Sequence, residues 1–323
     1  MNKRTKTTLR RWCLYGWTFA KWTMAASAIG VVCGLIGTMF HFGVHEVTAF
    51  RGTHPWVLYL LPLAGFVIVS FYKLTETDGL GTDDIIDAVH AGKRLPILLL
   101  PAIFFGTVLT HLCGGSAGRE GAALQMGGTI GQCMGRTFRL DDRDLRVATL
   151  AGMAAFFSAL FGTPLAATVF AIMVISIGVL YHVALYPSLL AALVAYGVSV
   201  RLGVEPTRFT VAVPDQSVGM FVRVAALGVL CALVSILFCK LMHGAGHLMK
   251  RIKNPWLRVI CGGFAVIALT WVFGTDYNGA GMDIVTRAIE QETVAVPWAF
   301  LLKLVFTAVT RAAGFKGGEV VPS

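Results

Sequence analysis

Two stretches of this chain carry nearly the same pattern of residues about 200 positions apart, and each ends in a glycine-rich segment. Six residues of the first stretch recur 198 positions later: Gly30, Cys33, Phe40, His45, Gly65 and Phe66 match Gly228, Cys231, Phe238, His243, Gly263 and Phe264. Segment 55–56 and the short motif 78–83 recur at a spacing of 200, and at the same spacing 118–122 aligns with 318–322. So many matches in one register predict an internal duplication, which is a common ground plan of membrane transporters.

The two copies differ in length. The first is expected to occupy 23–197, after an N-terminal segment 1–22, and the second to occupy 218–323. The second copy stops just after its glycine motif, so counterparts of 124–197 are missing from it. We therefore expect the chain to be truncated relative to a parent with two equal copies.

Composition places the chain in a membrane. Hydrophobic residues make up 56% of it and charged residues 14%, and the 36 glycines suit close helix packing in lipid. Apolar spans lie at 23–47, 57–72, 95–113, 121–135, 147–177, 180–200, 220–242, 259–273 and 297–313. Several differ greatly from the ~20 residues of a simple span, so an all-α polytopic protein with tilted and broken helices is predicted.

Basic residues set the predicted orientation. Five of them precede the first span with no acidic residue among them, which predicts a cytoplasmic N-terminus: Lys3, Arg4, Lys6, Arg10 and Arg11. In the second copy the basic cluster instead follows the first span, at 240–258. The copies should therefore be inverted, with a substrate site between them near mid-membrane. The net charge of +10 reflects this bias, and no nucleic-acid patch is indicated.

Residues 114–123 are the most informative local stretch. Its four glycines allow backbone conformations closed to other residues, and an apolar helix follows from Ala122. Free N–H groups in the first turn of such a helix, with its partial positive charge, would hold an anion. Glu120 lies in the same turn. Its carboxylate would compete with the anion, and its protonation would release the site, which couples proton uptake to anion passage.

The segment 118–122 resembles the GREGP signature of the CLC family of chloride channels and anion/proton antiporters, with Ala122 in place of the proline. Residues 79–83 fall where that family has GSGIP, 318–322 fall where it has GxFxP, and 161–166 resemble its AFNAPLAG stretch. The order and spacing of all four segments agree. The resemblance implies the CLC-type inverted repeat, here with an incomplete second copy.

The resemblance also implies roles for individual positions. Glu120 falls on the family's gating glutamate. The anion-binding positions are expected at three loops: Gly79, Leu80 and Gly81; Gly118, Arg119, Gly121 and Ala122; and Gly318, Glu319 and Val320. Leu80 stands where chloride members carry a serine, and Val320 where they carry an aromatic residue. These departures resemble the fluoride/proton antiporter branch, so fluoride is the expected anion.

The second proton station is expected to differ from that of chloride antiporters. Met173 or Val174 falls where many of them have an inner glutamate, so Glu319 becomes the next candidate acid. Lys316 could instead pair with Glu319 in a plain loop salt bridge. The seven cysteines form no CxxC pair, so no metal, cofactor or disulfide is indicated.

Several functions remain open from the sequence. Fluoride export coupled to proton entry is the preferred one, and a chloride channel or chloride/proton exchanger of the same fold is the alternative. An intramembrane enzyme lacks a partner nucleophile for Glu120, so an enzyme is not expected. A truncated remnant without activity is the last alternative. The full-length parent is expected to be a homodimer, with a small inorganic anion and protons as its partners.

Overall fold

The fold is built of helices joined by loops, with no β-strand among the residues that the computed structural model describes, which are 3–175, 181–206, 209, 215, 217–290 and 296–318. Twelve α-helices lie in this part of the chain: α1 Lys3–Thr53, α2 Leu61–Leu74, α3 Thr82–Ala91, α4 Leu99–Leu112, α5 Glu120–Thr137, α6 Asp142–Phe161, α7 Pro164–Met173, α8 Leu185–Arg201, α9 Val218–Lys250, α10 Pro255–Phe273, α11 Met282–Glu290 and α12 Ala299–Ala313. Six helical segments are long and apolar enough to cross a membrane. The predicted all-α polytopic fold with uneven helices is confirmed.

The longest predicted span, 147–177, does not correspond to a single helix. Span 147–177 is broken into α6 and α7, because Gly162 adopts a left-handed φ of +68° and Pro164 then starts a new helix. Helix α1 runs without a break from Lys3, and its stretch that is apolar enough to cross a membrane begins at Tyr15. The cytoplasmic N-terminal segment predicted at 1–22 stays a prediction.

Two compact units can be distinguished by their internal contacts. Unit 1 comprises 1–41, 79–100 and 123–207, and unit 2 comprises 42–78, 101–122 and 208–323. In unit 1, α6 packs on α7 and α8. In unit 2, α10 packs on α2 and α12, and α12 also packs on α9. The units cut across the predicted repeats 23–197 and 218–323, so that division stays a prediction.

Helix starts nevertheless recur at the spacing of the sequence repeat. Helix α3 begins at Thr82 and α11 at Met282, while α4 begins at Leu99 and α12 at Ala299. The glycines after α4 and α12 match as well, since Gly114 and Gly314 both have positive φ angles, +80° and +113°. Equivalent stop signals at equivalent positions support the proposed duplication.

Glycines let two helices of unit 1 approach closely. A Cβ atom on Gly127 would lie 2.4 Å from the Gly152 carbonyl oxygen, and one on Gly131 would lie 2.1 Å from the Ala148 carbonyl oxygen. Larger side chains could not be accommodated between α5 and α6 without separating them. This is the small-residue packing expected of helices in lipid.

Candidate anion site

The glycine-rich segment of the first repeat joins α4 to α5 within unit 2. Helix α4 ends at Leu112, and Gly114 turns the chain with its left-handed φ. Helix α5 then begins at Glu120, so only Arg119 separates Gly118 from the N-terminal turn of α5. Gly121 and the buried Ala122 belong to this first turn. The predicted free first-turn amides are therefore at a true helix start.

The two glycine motifs of the repeats meet at Gly118 and Gly318. The Gly118 N–H donates to the Gly318 carbonyl oxygen over 2.8 Å, and the Gly318 N–H donates to the Gly118 carbonyl oxygen over 2.7 Å. This reciprocal pair is an isolated antiparallel bridge. It brings together two positions separated by the repeat spacing of 200.

The Glu120 carboxyl group is packed against this pair of glycines. Only 3% of the residue is exposed. A Cβ atom on Gly318 would lie 2.2 Å from Oε2 of Glu120, and one on Gly118 would lie 2.3 Å from the same oxygen. Glycine at both positions is thus what allows the carboxyl group to lie there.

One backbone N–H group next to the start of α5 holds one side of that carboxyl group. Oε1 of Glu120 accepts the Arg119 N–H over 3.1 Å. Oε2 is buried and accepts no hydrogen bond within the described part of the chain. The side chain therefore folds back over the positive end of its own helix, which is where an anion would bind.

The remaining predicted positions lie elsewhere or outside the described residues. Gly79, the half-buried Leu80 and Gly81 belong to unit 1, where Gly79 has a φ of +82° and Gly81 precedes α3. The Gly81 N–H donates to the Asp84 carboxylate over 2.8 Å, so one amide of this loop is already used. Glu319 and Val320 lie outside the described residues. Arg119 is partly exposed and lines a cavity in unit 2.

A buried lysine that the sequence analysis did not single out binds the segment that precedes Glu120. Lys303 of α12 is 6% exposed, and its Nζ donates to Ser116 Oγ (2.8 Å) and to the carbonyl oxygens of Tyr277 (2.9 Å) and Gly279 (2.6 Å). The Ala117 N–H donates to the same Gly279 oxygen over 3.2 Å. A lysine inside the apolar span 297–313 was the available signal, because an intramembrane charge is costly.

Lys316 lies close to an aromatic ring. Its Nζ lies 4.0 Å from the centre of the Tyr72 ring, and the backbone N–H of Lys316 donates to Thr110 Oγ1 over 3.3 Å. A cation over a tyrosine face is stabilised by the ring quadrupole. Its predicted alternative partner, Glu319, is not among the described residues.

The fold, with six helical segments long and apolar enough to cross a membrane, defines a multi-pass membrane protein. The profile of the voltage gated chloride channel family matches residues 63–323. A chloride/fluoride channel protein of Pseudomonas syringae pv. tomato is 36% identical, over 94% of this chain and 69% of the relative. An H(+)/Cl(-) exchange transporter ClcA of Cronobacter sakazakii is 26% identical, over 93% of this chain and 69% of the relative.

Solved structures agree with these relatives. A crystal structure of a CLC-type fluoride/proton antiporter is similar with a TM-score of 0.90 and 32% identity, over 95% of this chain and 78% of that one. A slow cyanobacterial Cl-/H+ antiporter shares the fold, with a TM-score of 0.76 and 21% identity over 93% of this chain and 76% of that one. The chain belongs to the voltage gated chloride channel, or CLC, family. It is a membrane transport protein and not an enzyme.

Proposed function

We propose that this protein exports fluoride in exchange for protons, with Glu120 as the gating and proton-coupling group. One observation carries the proposal: a nearly fully buried carboxyl group lies at the start of α5, against Gly118 and Gly318, with Oε2 lacking a partner among the described residues. A carboxylate in that position uses the interactions that would otherwise bind an anion.

Protonation of the Glu120 carboxylate couples proton uptake to anion passage. The ionised Glu120 carboxylate is attracted to the positive end of α5 and excludes an anion from it. A protonated carboxyl group loses most of that attraction, so it leaves the helix start and the anion takes its place. Each exchange of anion for carboxylate is thus tied to the gain or loss of one proton.

Three departures from the chloride signature support fluoride as the anion. Leu80 removes a hydroxyl donor, Ala122 replaces the proline after the gating glutamate, and Val320 replaces an aromatic residue. Two of the proteins named above are a chloride/fluoride channel protein, 36% identical, and a CLC-type fluoride/proton antiporter, 32% identical. A chloride/proton exchanger is the second candidate, favoured by the 26% identical H(+)/Cl(-) exchange transporter.

The proposal has three further parts. Glu319, next to the paired Gly318, is the candidate second acid on the proton route. The N-terminus lies in the cytoplasm, as the basic residues before the first span indicate. The functional protein is a homodimer.

Flux from liposomes tests the proposal. Purified protein is reconstituted, and fluoride efflux, chloride efflux and proton uptake are recorded in parallel. We expect fluoride efflux to exceed chloride efflux and to be accompanied by proton uptake. Glu120→Gln should abolish the proton uptake, whereas Glu46→Gln, a change at an exposed glutamate of α1, should leave it unchanged.

Two results would contradict the proposal. Equal fluoride and chloride fluxes would favour the chloride exchanger or channel. Proton uptake that persists in Glu120→Gln would remove Glu120 from the coupling mechanism.

A further inference from the structure

We propose that Thr110 and Thr310 are crossed positioning residues: each holds the glycine motif that follows the other threonine's helix, and together they keep the Glu120 carboxyl group at the start of α5. Thr110 belongs to α4 and Thr310 to α12, at the repeat spacing of 200. Both residues are 0% exposed and belong to unit 2. In assigning a role to Glu120 the proposal rests on the proposed function, whereas the threonine contacts do not depend on it.

The two threonines accept equivalent backbone hydrogen bonds. The Ser116 N–H, which follows α4, donates to Oγ1 of Thr310 over 3.1 Å. The Lys316 N–H, which follows α12, donates to Oγ1 of Thr110 over 3.3 Å. Ser116 and Lys316 are themselves 200 positions apart. Each hydroxyl oxygen therefore binds the chain that leaves the other helix.

The hydroxyl hydrogen atoms are used within the helices. Oγ1 of Thr110 donates to the Gly106 carbonyl oxygen over 2.8 Å. Oγ1 of Thr310 donates to the Phe306 carbonyl oxygen over 2.7 Å. A threonine hydroxyl has one hydrogen atom and two lone pairs, so the oxygen can still accept an N–H group. The bond to the carbonyl four residues earlier also fixes the direction of those lone pairs.

The two helices also end in the same way beside their threonines. The Gly115 N–H donates to the Thr110 carbonyl oxygen over 2.8 Å, and the Phe315 N–H donates to the Thr310 carbonyl oxygen over 3.3 Å. Each bond spans five residues and closes around a glycine with a positive φ angle, as at many helix C-termini. The chain therefore leaves both helices with the same turn, and this turn brings the next N–H to the opposite threonine.

The crossed contacts lie two residues before the paired glycines. Ser116 precedes Gly118 and Lys316 precedes Gly318 by two positions. A Cβ atom on either glycine would lie 2.3 Å or less from Oε2 of Glu120. A shift of either motif thus moves the surface against which the carboxyl group lies.

The first motif has further support from α12. Ser116 Oγ accepts the Lys303 ammonium over 2.8 Å and lies 2.9 Å from Oγ1 of Thr307. Loss of the Thr310 hydroxyl should therefore loosen this motif without releasing it. A Thr310 variant is accordingly expected to fold.

Valine and serine variants test the role in transport. Thr310→Val keeps the size of the side chain but leaves the buried Ser116 N–H without its acceptor, whereas Thr310→Ser keeps the hydroxyl. We expect Thr310→Val to lower proton-coupled fluoride flux about ten-fold and to lower the number of protons taken up per fluoride, because a displaced carboxylate no longer excludes the anion. Thr310→Ser should restore both.

A third threonine provides the matched control. Thr149 of α6 is 0% exposed, and its Oγ1 donates to the Leu145 carbonyl oxygen over 2.8 Å, as the two crossed threonines do within their helices. Thr149→Val removes the same local bond without a contact to either glycine motif, so it should leave the proton-to-fluoride ratio unchanged. Reduced flux in Thr310→Val with an unaltered ratio would show a role in stability alone and overturn the inference.

Hydrogen exchange measures the crossed contacts without any transport. Thr310→Val should speed amide exchange in 114–118 more than in 314–318, and Thr110→Val should do the reverse. The expected increase is roughly ten-fold in the affected segment, as for the loss of one hydrogen bond. A larger increase in the segment that follows the substituted helix would overturn the crossed arrangement.

These measurements separate the inference from the proposed function. Crossed exchange in a protein that carries no fluoride would support the threonine contacts and contradict the proposed function. Proton-coupled fluoride flux that is the same in Thr310→Val as in the unsubstituted protein would overturn the positioning role alone. If Thr310→Val does not fold, Thr110→Val and its serine counterpart decide the question by the same two readouts.

Discussion

Gly118 and Gly318 are hydrogen-bonded to each other in both directions, over 2.8 and 2.7 Å. They belong to the two glycine motifs of the sequence repeat, and the Glu120 carboxyl group is packed beside both. Under the proposed function, the addition of a single carbon atom at either glycine should alter transport, because the Glu120 carboxyl group lies against both of them.

Gly318→Ala should impair gating. The added Cβ atom would lie 2.2 Å from Oε2 and 2.8 Å from the backbone N of Glu120, so the carboxyl group or the bridge must move. We expect proton-coupled fluoride flux to fall by about ten-fold or more, in line with a loss of site geometry. Flux assays in liposomes check this, with Gly246→Ala of α9, where a Cβ meets nothing within 4 Å, as the control. Unaltered flux in Gly318→Ala would show that the close contact has no role in gating.

Lys303→Met should destabilise the protein. The methionine keeps the length of the side chain but leaves Ser116 and the carbonyl oxygens of Tyr277 and Gly279 without their buried donor. The expected loss is about 2 kcal/mol or more in the free energy of unfolding. Thermal unfolding in detergent measures it, and Lys240→Met, at an exposed position on α9, should change little. Equal stability of the two variants would contradict the proposed role of Lys303.

Leu80→Ser should shift selectivity towards chloride. Leu80 is half-buried in the Gly79–Gly81 loop. The family resemblance predicts that it stands where chloride members carry a serine. A hydroxyl group there supplies a donor that a weakly hydrated halide can use, so we expect the chloride-to-fluoride flux ratio to rise several-fold. Parallel efflux with chloride and fluoride electrodes measures the ratio. Leu74→Ser, at an exposed leucine, is the control, and a ratio that stays constant in Leu80→Ser would argue against a role for this loop.

Gly131→Ala should weaken helix packing without changing selectivity. Its Cβ atom would lie 2.1 Å from the Ala148 carbonyl oxygen, which forces α5 and α6 apart. We expect a loss of about 2 kcal/mol in unfolding free energy, typical of overpacking. Gly197→Ala, with no atom within 4 Å of the new Cβ, should be neutral. An altered fluoride-to-chloride ratio in Gly131→Ala would place this glycine in the transport pathway instead.

Local patterns predicted the helices well but not where one of them breaks. Apolar spans identified every helix of the main transmembrane stretches, because burial in lipid demands continuous hydrophobic residues. Broken helices were expected from the uneven spans, but the break between α6 and α7 was not located, since Gly162 and Pro164 lie inside an otherwise apolar run. Lys303 was missed for a similar reason: a single charged residue lowers the mean hydropathy of a span too little to change its assignment as apolar.

The sequence by itself determined the membrane environment, the helical class, the spacing of the two repeats and the position of Glu120 at a helix start. These properties depend on composition and on neighbours in the chain. Only the tertiary structure decided that Gly118 pairs with Gly318, that Lys303 binds the Gly279 loop, and that Arg51 and Arg119 share a cavity. Such contacts join residues up to 200 positions apart, and they depend on three-dimensional packing that no local pattern encodes.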